Sequence, residues 1–518
     1  MSFARNVLVQ SSFTLGSRIL GLGREMLFFA KLGAGPVNDA YLTALQFPNL
    51  FRRLLAEGAF SQAFVPIYSR TQAEEGDAEA ARMATESLSM LFTATLVLCL
   101  AAQLAMPWIM MVLQAGYRDD EKIFKLSILL TQITMPYLTG MALSALFAGV
   151  LNAGGRFMLS AAAPTLLNIC LITVALIYND PTDVALAGSV AITVSGFLQA
   201  AALFWGVRRQ GIDLHFRLPR MTPAVKRVVM VAVPGALAAS ATQINIIVSM
   251  SIASFEEGAK SWLASADRLY QLPLGIIGVA VGVAILPRLS RAMSAAGSPE
   301  ETRKTIDEGI GLSMALTLPA AAALGAIPFF LIEALFRRGE YTVFDAQMSS
   351  LALMHYAWGV PAFVLVKVLS PAFFAREDTV TPMRYAVITV LFNTIVGAGA
   401  FFWLRAHDMA GFPGLAAATS LAAWLNVILL SITLWMRGHY RPTPLLVSRL
   451  VRVLISTAVL TAALVMAIHY RVEIEAILMG SKFLTLIAVV IGGGLIYAIA
   501  AFATGAIRMS EISRAVRR

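Results

Sequence analysis

Apolar residues in this chain come in long runs, separated by short polar or basic breaks. Most runs last roughly 20 residues or more, the length a helix needs to cross about 30 Å of hydrocarbon. The alternating ten-residue segments of a membrane β-barrel are not seen. The pattern predicts an all-α integral membrane protein of about fourteen transmembrane helices. Their approximate positions are 10–32, 40–66, 86–114, 127–151, 159–178, 184–206, 228–254, 262–286, 308–335, 348–374, 382–404, 412–436, 447–470 and 483–507. No polar stretch between them is long enough to fold alone.

Composition agrees with that reading. Of 518 residues, 58% are hydrophobic and 14% are charged, where soluble domains carry about 25% charged residues. Mean hydropathy is +0.75. In water so much apolar surface would leave large adhesive patches; in a bilayer lipid covers it, provided helices pair every backbone polar group.

Charge then sets orientation. If the N-terminal side is "in", 24 of the 40 basic residues fall in in-side segments, with the densest group at Arg208–Arg227. Only Arg118, Lys122, Lys260, Arg337, Arg338, Arg405, Arg471 and Lys482 fall in out-side segments; the other eight, Arg18, Arg24, Lys31, Arg52, Arg53, Lys125, Arg268 and Lys367, lie within spans. The positive-inside rule therefore predicts both termini in the cytoplasm. It also accounts for the net charge of +10 without nucleic acid as a partner. The N-terminus does not read as a cleaved signal peptide, because Gln10, Ser11, Ser12, Thr14 and Arg18 interrupt any apolar core.

Enzyme chemistry has no visible carrier. Cys99 and Cys170 fall within spans, so neither a disulfide nor a metal site is expected. The five histidines are scattered without ligand spacing. There is no nucleophile elbow, P-loop or paired-carboxylate site. No cofactor is expected, and the absence of a nucleotide motif argues against ATP as the energy source.

The longest in-side loop divides the chain. The expected organisation is a first six-helix lobe over 1–208, a cytoplasmic linker over 209–227, a second six-helix lobe over 228–440, and a two-helix appendage with a basic tail over 441–518. An internal repeat supports two lobes. Residues 47–70 (FPNLFRRLLAEGAFSQAFVPIYSR) and 272–291 (LPLGIIGVAVGVAILPRLSR) both begin apolar-Pro and end Pro-x-x-Ser-Arg, in the second span of each half. Repeated halves around a central cavity are a common transporter plan.

Charges deep in the spans are the candidate chemistry. Arg18 and Arg24 lie in SRILGLGRE (17–25), about 120° apart on a helix. Arg52 and Arg53 follow Asn49 in the second span, where Arg53 and Glu57 are spaced i,i+4 and can pair. Arg268 sits beside Asp267, and Lys367 lies in the tenth span. A charge at mid-membrane costs at least about 2.5–3.5 kcal/mol, so such residues face partners or water. Against them stand Glu25, Glu57, Asp267 and, at an edge, Asp39. The balance is positive. It suggests a hydrated cavity for an anionic ligand, and the planar fork of arginine suits phosphate. The plainer readings are structural ion pairs for Arg18 and Arg24, a helix end for Asp267–Arg268, and snorkelling for Lys367.

Several motifs occur in order along the chain: SRILGLGRE (17–25), GAG (33–35) with Asp39, FPNLFRRLLAEGAFSQAFVP (47–66), APTLLN (163–168), ADRL (266–269) with Pro273, and Lys367 followed by Arg376, Asp378 and Thr381-Pro382. Together they resemble the MurJ (MviN) lipid II flippases, of the multidrug/oligosaccharidyl-lipid/polysaccharide exporter superfamily. The resemblance implies movement of lipid II, the undecaprenyl-pyrophosphate-linked disaccharide-pentapeptide, from the cytoplasmic to the periplasmic leaflet of the bacterial inner membrane. It implies substrate-binding roles for Arg18, Arg24, Arg52 and Arg268, a supporting role for Asp39, and a tail groove formed by the last two spans. The partners it implies are lipid II and membrane lipids, with room for other cell-wall synthesis proteins. Position 25 is Glu where some members have Asp, and position 271 is Gln where some have Glu. Gln243 and Asn393 match the sodium-binding members poorly, so no metal ion is expected. Three other functions remain: a flippase for another polyprenyl-linked oligosaccharide, a drug/cation antiporter, and a non-transporting cell-wall scaffold.

Overall fold

A computed structural model describes residues 3–52, 60–292 and 299–507. Among these residues every regular element is helical. Contacts divide the chain into two compact units: residues 1–261 with 338–341, and 262–337 with 342–518.

The first unit contains α1 (Phe3–Leu32), α2 (Pro36–Phe51), α3 (Ser61–Glu75), α4 (Asp77–Leu113), α5 (Glu121–Thr134), α6 (Tyr137–Ala153), α7 (Phe157–Ala162), α8 (Thr165–Ile177), α9 (Pro181–Arg208) and α10 (Pro223–Ala253). Helix α11 (Ala259–Ala292) begins in this unit and continues into the second. The second unit then holds α12 (Pro299–Ala326), α13 (Pro328–Phe336), α14 (Val343–Ala357), α15 (Val360–Phe374), α16 (Val380–Ala406), α17 (Phe412–Met436), α18 (Pro444–His469), α19 (Arg471–Ile477) and α20 (Lys482–Ala503).

Helix starts follow local chemistry. Thr222, Thr443 and Ser481 each accept the backbone N–H three residues on, and Pro223 and Pro444 occupy the first helical position. There the missing proline N–H is no loss. Thr342 and Asp345 form a reciprocal capping box.

Four predicted spans are broken rather than continuous. The breaks fall at Pro136, Pro164, Pro328 and the Gly359–Pro361 stretch, between α5 and α6, α7 and α8, α12 and α13, and α14 and α15. Proline lacks the N–H that would bond the carbonyl four residues back. In hydrocarbon that carbonyl needs another donor. Pro107 and Pro136 release the carbonyls of Gln103 and Gln132. The two glutamine side chains exchange donors, each bonding the other's carbonyl at 3.0 Å. Pro48 likewise releases the Ala44 carbonyl, which accepts from Thr134 Oγ1 at 2.7 Å.

Ten helical segments among the described residues are long and apolar enough to cross a membrane. Their exposed faces carry apolar side chains spaced by whole turns, as Leu454 and Val465 do on α18 and Ile491, Leu495 and Ile499 on α20. Such faces belong in lipid, and the chain is a multi-pass membrane protein. The ten do not include the expected spans 10–32, 40–66, 228–254 and 262–286. Those four hold the deep arginines or side chains outside the described residues.

In the first unit α6 and α9 touch backbone to backbone. A Cβ at Gly140 would lie 2.6 Å from the Gly196 carbonyl carbon and 2.9 Å from its oxygen. Gly140→Leu is therefore expected to destabilise the protein by about 1–3 kcal/mol. Thermal unfolding of the purified variant checks this, and an unchanged midpoint would contradict the contact.

Candidate functional site

Helix α1 presents Arg18 and Arg24 differently. Arg18 is exposed on the helix surface. Arg24 is largely covered and doubly held: Nη2 donates to Glu25 Oε1 at 2.5 Å, and Nη1 donates to Asn168 Oδ1 at 3.2 Å. Asn168, on α8, also donates from Nδ2 to the Ser17 carbonyl at 3.1 Å. One amide thus ties α8 to α1 and orients the guanidinium. The motif containing Asn168 was visible in the sequence, but its partner lies 144 residues away, so nothing local signalled the contact.

The next arginine, Arg52, caps the C-terminal end of α2. Arg52 Nε donates to Asn49 Oδ1 at 2.9 Å, while Asn49 Nδ2 donates to the Leu45 carbonyl at 2.9 Å. The i,i+3 spacing that places Asn49 one turn before Arg52 makes this bond possible. Arg53 and Glu57 lie outside the described residues.

Asp39, near the start of α2, is fully buried. Its Oδ1 accepts from Ser261 N at 2.9 Å and Ser261 Oγ at 2.6 Å. Its Oδ2 accepts from Tyr117 Oη at 2.7 Å and Gly258 N at 3.1 Å. Four donors therefore saturate one carboxylate. Lys260 is buried alongside, donating to Thr43 Oγ1 at 3.0 Å, Gln114 Oε1 at 2.6 Å and the Leu113 carbonyl at 2.9 Å. The sequence marks Lys260 only as an out-side basic residue. Its burial in a polar network is a feature that sequence reasoning missed, and so are Tyr117, Gln114 and Ser261.

The remaining candidates belong to the second unit. Arg268 is exposed on α11, and Asp267 beside it accepts from the Gln271 amide one turn on. The Tyr270 ring lies 4.7 Å from Tyr356 and 5.7 Å from Phe363, centroid to centroid. Lys367 is exposed on α15. In the loop before α16, Asp378 accepts from Thr381 N at 2.9 Å and Oγ1 at 2.7 Å, and from Arg437 Nη1 at 2.6 Å. The bonds from Thr381, then that from Arg437, hold its carboxyl down at about 2. This is a clip on a loop, with no group left to react.

Within the first unit, then, the structure joins Arg24 to Glu25 and Arg52 to Asn49, and sets Asp39 in its own buried network. In the second, Asp267 pairs with Gln271. No group of His, Cys, Asp and Glu among the described residues could hold a metal ion. What the arginines can do chemically is bind and orient an anion with planar, always-charged donors.

Comparison with known proteins bears on the whole chain. Residues 29–487 match the family model described as lipid II flippase MurJ. A Rhizobium meliloti protein named "Probable lipid II flippase MurJ" is 39% identical over 526 residues, covering 100% of this chain and 97% of that protein. A Rhizobium tropici protein of the same name is 38% identical over 529 residues, with the same coverage. The solved structure "Lipid II flippase MurJ, inward closed conformation" is 23% identical, with a TM-score of 0.78 over 99% of this chain and 100% of that one. At that identity the structure speaks for the fold.

Proposed function

The chain belongs to the lipid II flippase MurJ family, and from that premise we propose that it carries lipid II from the inner to the outer leaflet of the bacterial cytoplasmic membrane. The observation that carries this reading is the family match over residues 29–487, with 38% identity to a relative along the full chain. The protein is a transporter and not an enzyme.

The physics of the cargo explains the need for a protein path. A pyrophosphate with its sugars cannot enter hydrocarbon unaided. Arg18, Arg24, Arg52 and Arg268 are proposed to receive the head group in a hydrated cavity, while the polyprenyl tail stays in lipid. Arg24 is pre-oriented for this by Glu25 and Asn168. Fourteen spans, two six-helix lobes with a two-helix appendage, and both termini in the cytoplasm complete the proposal. Alternating access of the cavity then moves the head group across. A membrane potential can bias such a step, since one charge crossing 100 mV is worth about 2.3 kcal/mol.

The test is depletion of the protein in a cell with no other lipid II flippase. An outside-only enzyme that cleaves the head group reports lipid II on the periplasmic face. Accessible lipid II is expected to collapse while total lipid II rises. Unchanged accessibility would reject lipid II as cargo and favour another polyprenyl-linked oligosaccharide.

A further inference from the structure

Five charged side chains apart from the arginine site meet in the second unit. Glu333, on α13, is 3% exposed. Its Oε1 accepts from Arg337 Nη1 at 2.5 Å and Lys482 Nζ at 2.7 Å, and its Oε2 accepts from Arg471 Nη1 at 2.9 Å. Arg471 also lies over the Phe330 ring at 5.3 Å, and its Nε is 3.1 Å from Glu475 Oε1. Three cations therefore share two carboxylates, and the cluster keeps a surplus positive charge.

The surplus is directed outward. Arg337 and Lys482 are 38% and 34% exposed at the side chain, whereas Glu333 is 2% exposed. An arginine has five N–H donors and a lysine three. Glu333 takes one from each, and neither shows another protein partner among the described residues. Because both nitrogens reach the same carboxylate oxygen, they stand no more than about 5 Å apart, a span that one tetrahedral phosphate can bridge with charge-assisted bonds. Beside them lies an apolar rim. Val472, Ile477 and Met479 are 72%, 80% and 93% exposed, on α19 and the turn after it. That segment joins two membrane-spanning helices, so its apolar side chains sit where head groups meet acyl chains.

We propose that Arg337, Lys482 and Arg471, with this apolar rim, form a binding site for the phosphate of an anionic membrane lipid, separate from the arginines assigned to the transported head group. The cations bind the phosphodiester and the rim meets the first methylenes of the acyl chains. A free phosphate ion would use the cations alone. Under the proposed topology the site belongs to the outer leaflet. Glu333 anchors the cations and at the same time tempers their charge.

Full-length protein in phosphatidylcholine nanodiscs containing phosphatidylglycerol provides the test. Phosphatidylglycerol retained after detergent extraction is counted by native mass spectrometry. The double variant Arg337→Gln/Lys482→Gln is expected to retain about tenfold less than wild type. Glu333→Gln removes the competing carboxylate, so retention is expected to rise; a purely structural clamp would instead lose lipid together with stability. Millimolar inorganic phosphate is expected to leave retention unchanged. Where the double variant fails to fold, Val472→Ser/Ile477→Ser, which leaves the ion cluster intact, is expected to lower retention several-fold. Equal retention by wild type and by every folded variant overturns the proposal. Displacement by inorganic phosphate alone overturns the lipid as the ligand.

Discussion

Asp39→Ala is expected to abolish lipid II translocation and to lower stability by about 3–5 kcal/mol, the range for removing one partner from a buried charged network. The carboxylate is fully buried and accepts four hydrogen bonds, from Ser261 N and Oγ, Tyr117 Oη and Gly258 N. Alanine would leave all four donors without an acceptor and Lys260 without a nearby counter-charge. Asp39→Asn keeps the shape but turns an NH2 towards two of those donors, so it should fall between alanine and wild type. Thermal unfolding of the purified variants and head-group accessibility in cells measure the two effects. An alanine variant with the wild-type unfolding midpoint would show that the network does not bear on stability.

Arg24→Ala is expected to reduce translocation at least about thirtyfold, corresponding to the 2 kcal/mol or more lost when a buried hydrogen-bonded charge loses its partner. Because the substitution also removes the Arg24–Glu25 ion pair, loss of function and loss of folding must be told apart. Arg24→Lys separates the causes. Lysine keeps a positive charge for Glu25 but has no planar fork to reach Asn168 and a phosphate together. It should insert and unfold like wild type while translocating poorly. Full translocation by a normally inserted Arg24→Ala protein would remove Arg24 from the proposed site.

How far the sequence could go depended on the range of each interaction. Long apolar runs made the membrane character and most crossings legible, because span length and hydropathy are local properties. The breaks at Pro136, Pro164 and Pro328 were not read from the sequence, where apolar runs carry straight through those prolines. Nor was what rescues the backbone there, since Gln103 and Gln132 bond across two helices. Arg24 and Glu25 are chain neighbours and could be read together, whereas Asn168 could not be placed with them. Lys260 is the clearest miss. In the charge tally it is one of eight residues on the side that should be poor in bases. Lys260, Arg337, Arg471 and Lys482 all proved to be engaged with covered acceptors or a covered carboxylate. Basic residues that the charge pattern assigns to the base-poor side are thus a usable signal: these four are each held by a specific contact.

The Glu333 cluster also has a consequence for how the protein is made. Glu333 is synthesised 138 residues before Arg471 and 149 before Lys482. Until those two residues are made, Arg337 is the one member of the described cation cluster present to neutralise it. The segment after α18 therefore does more than extend the lipid-facing surface: it supplies two of the three cations that hold Glu333.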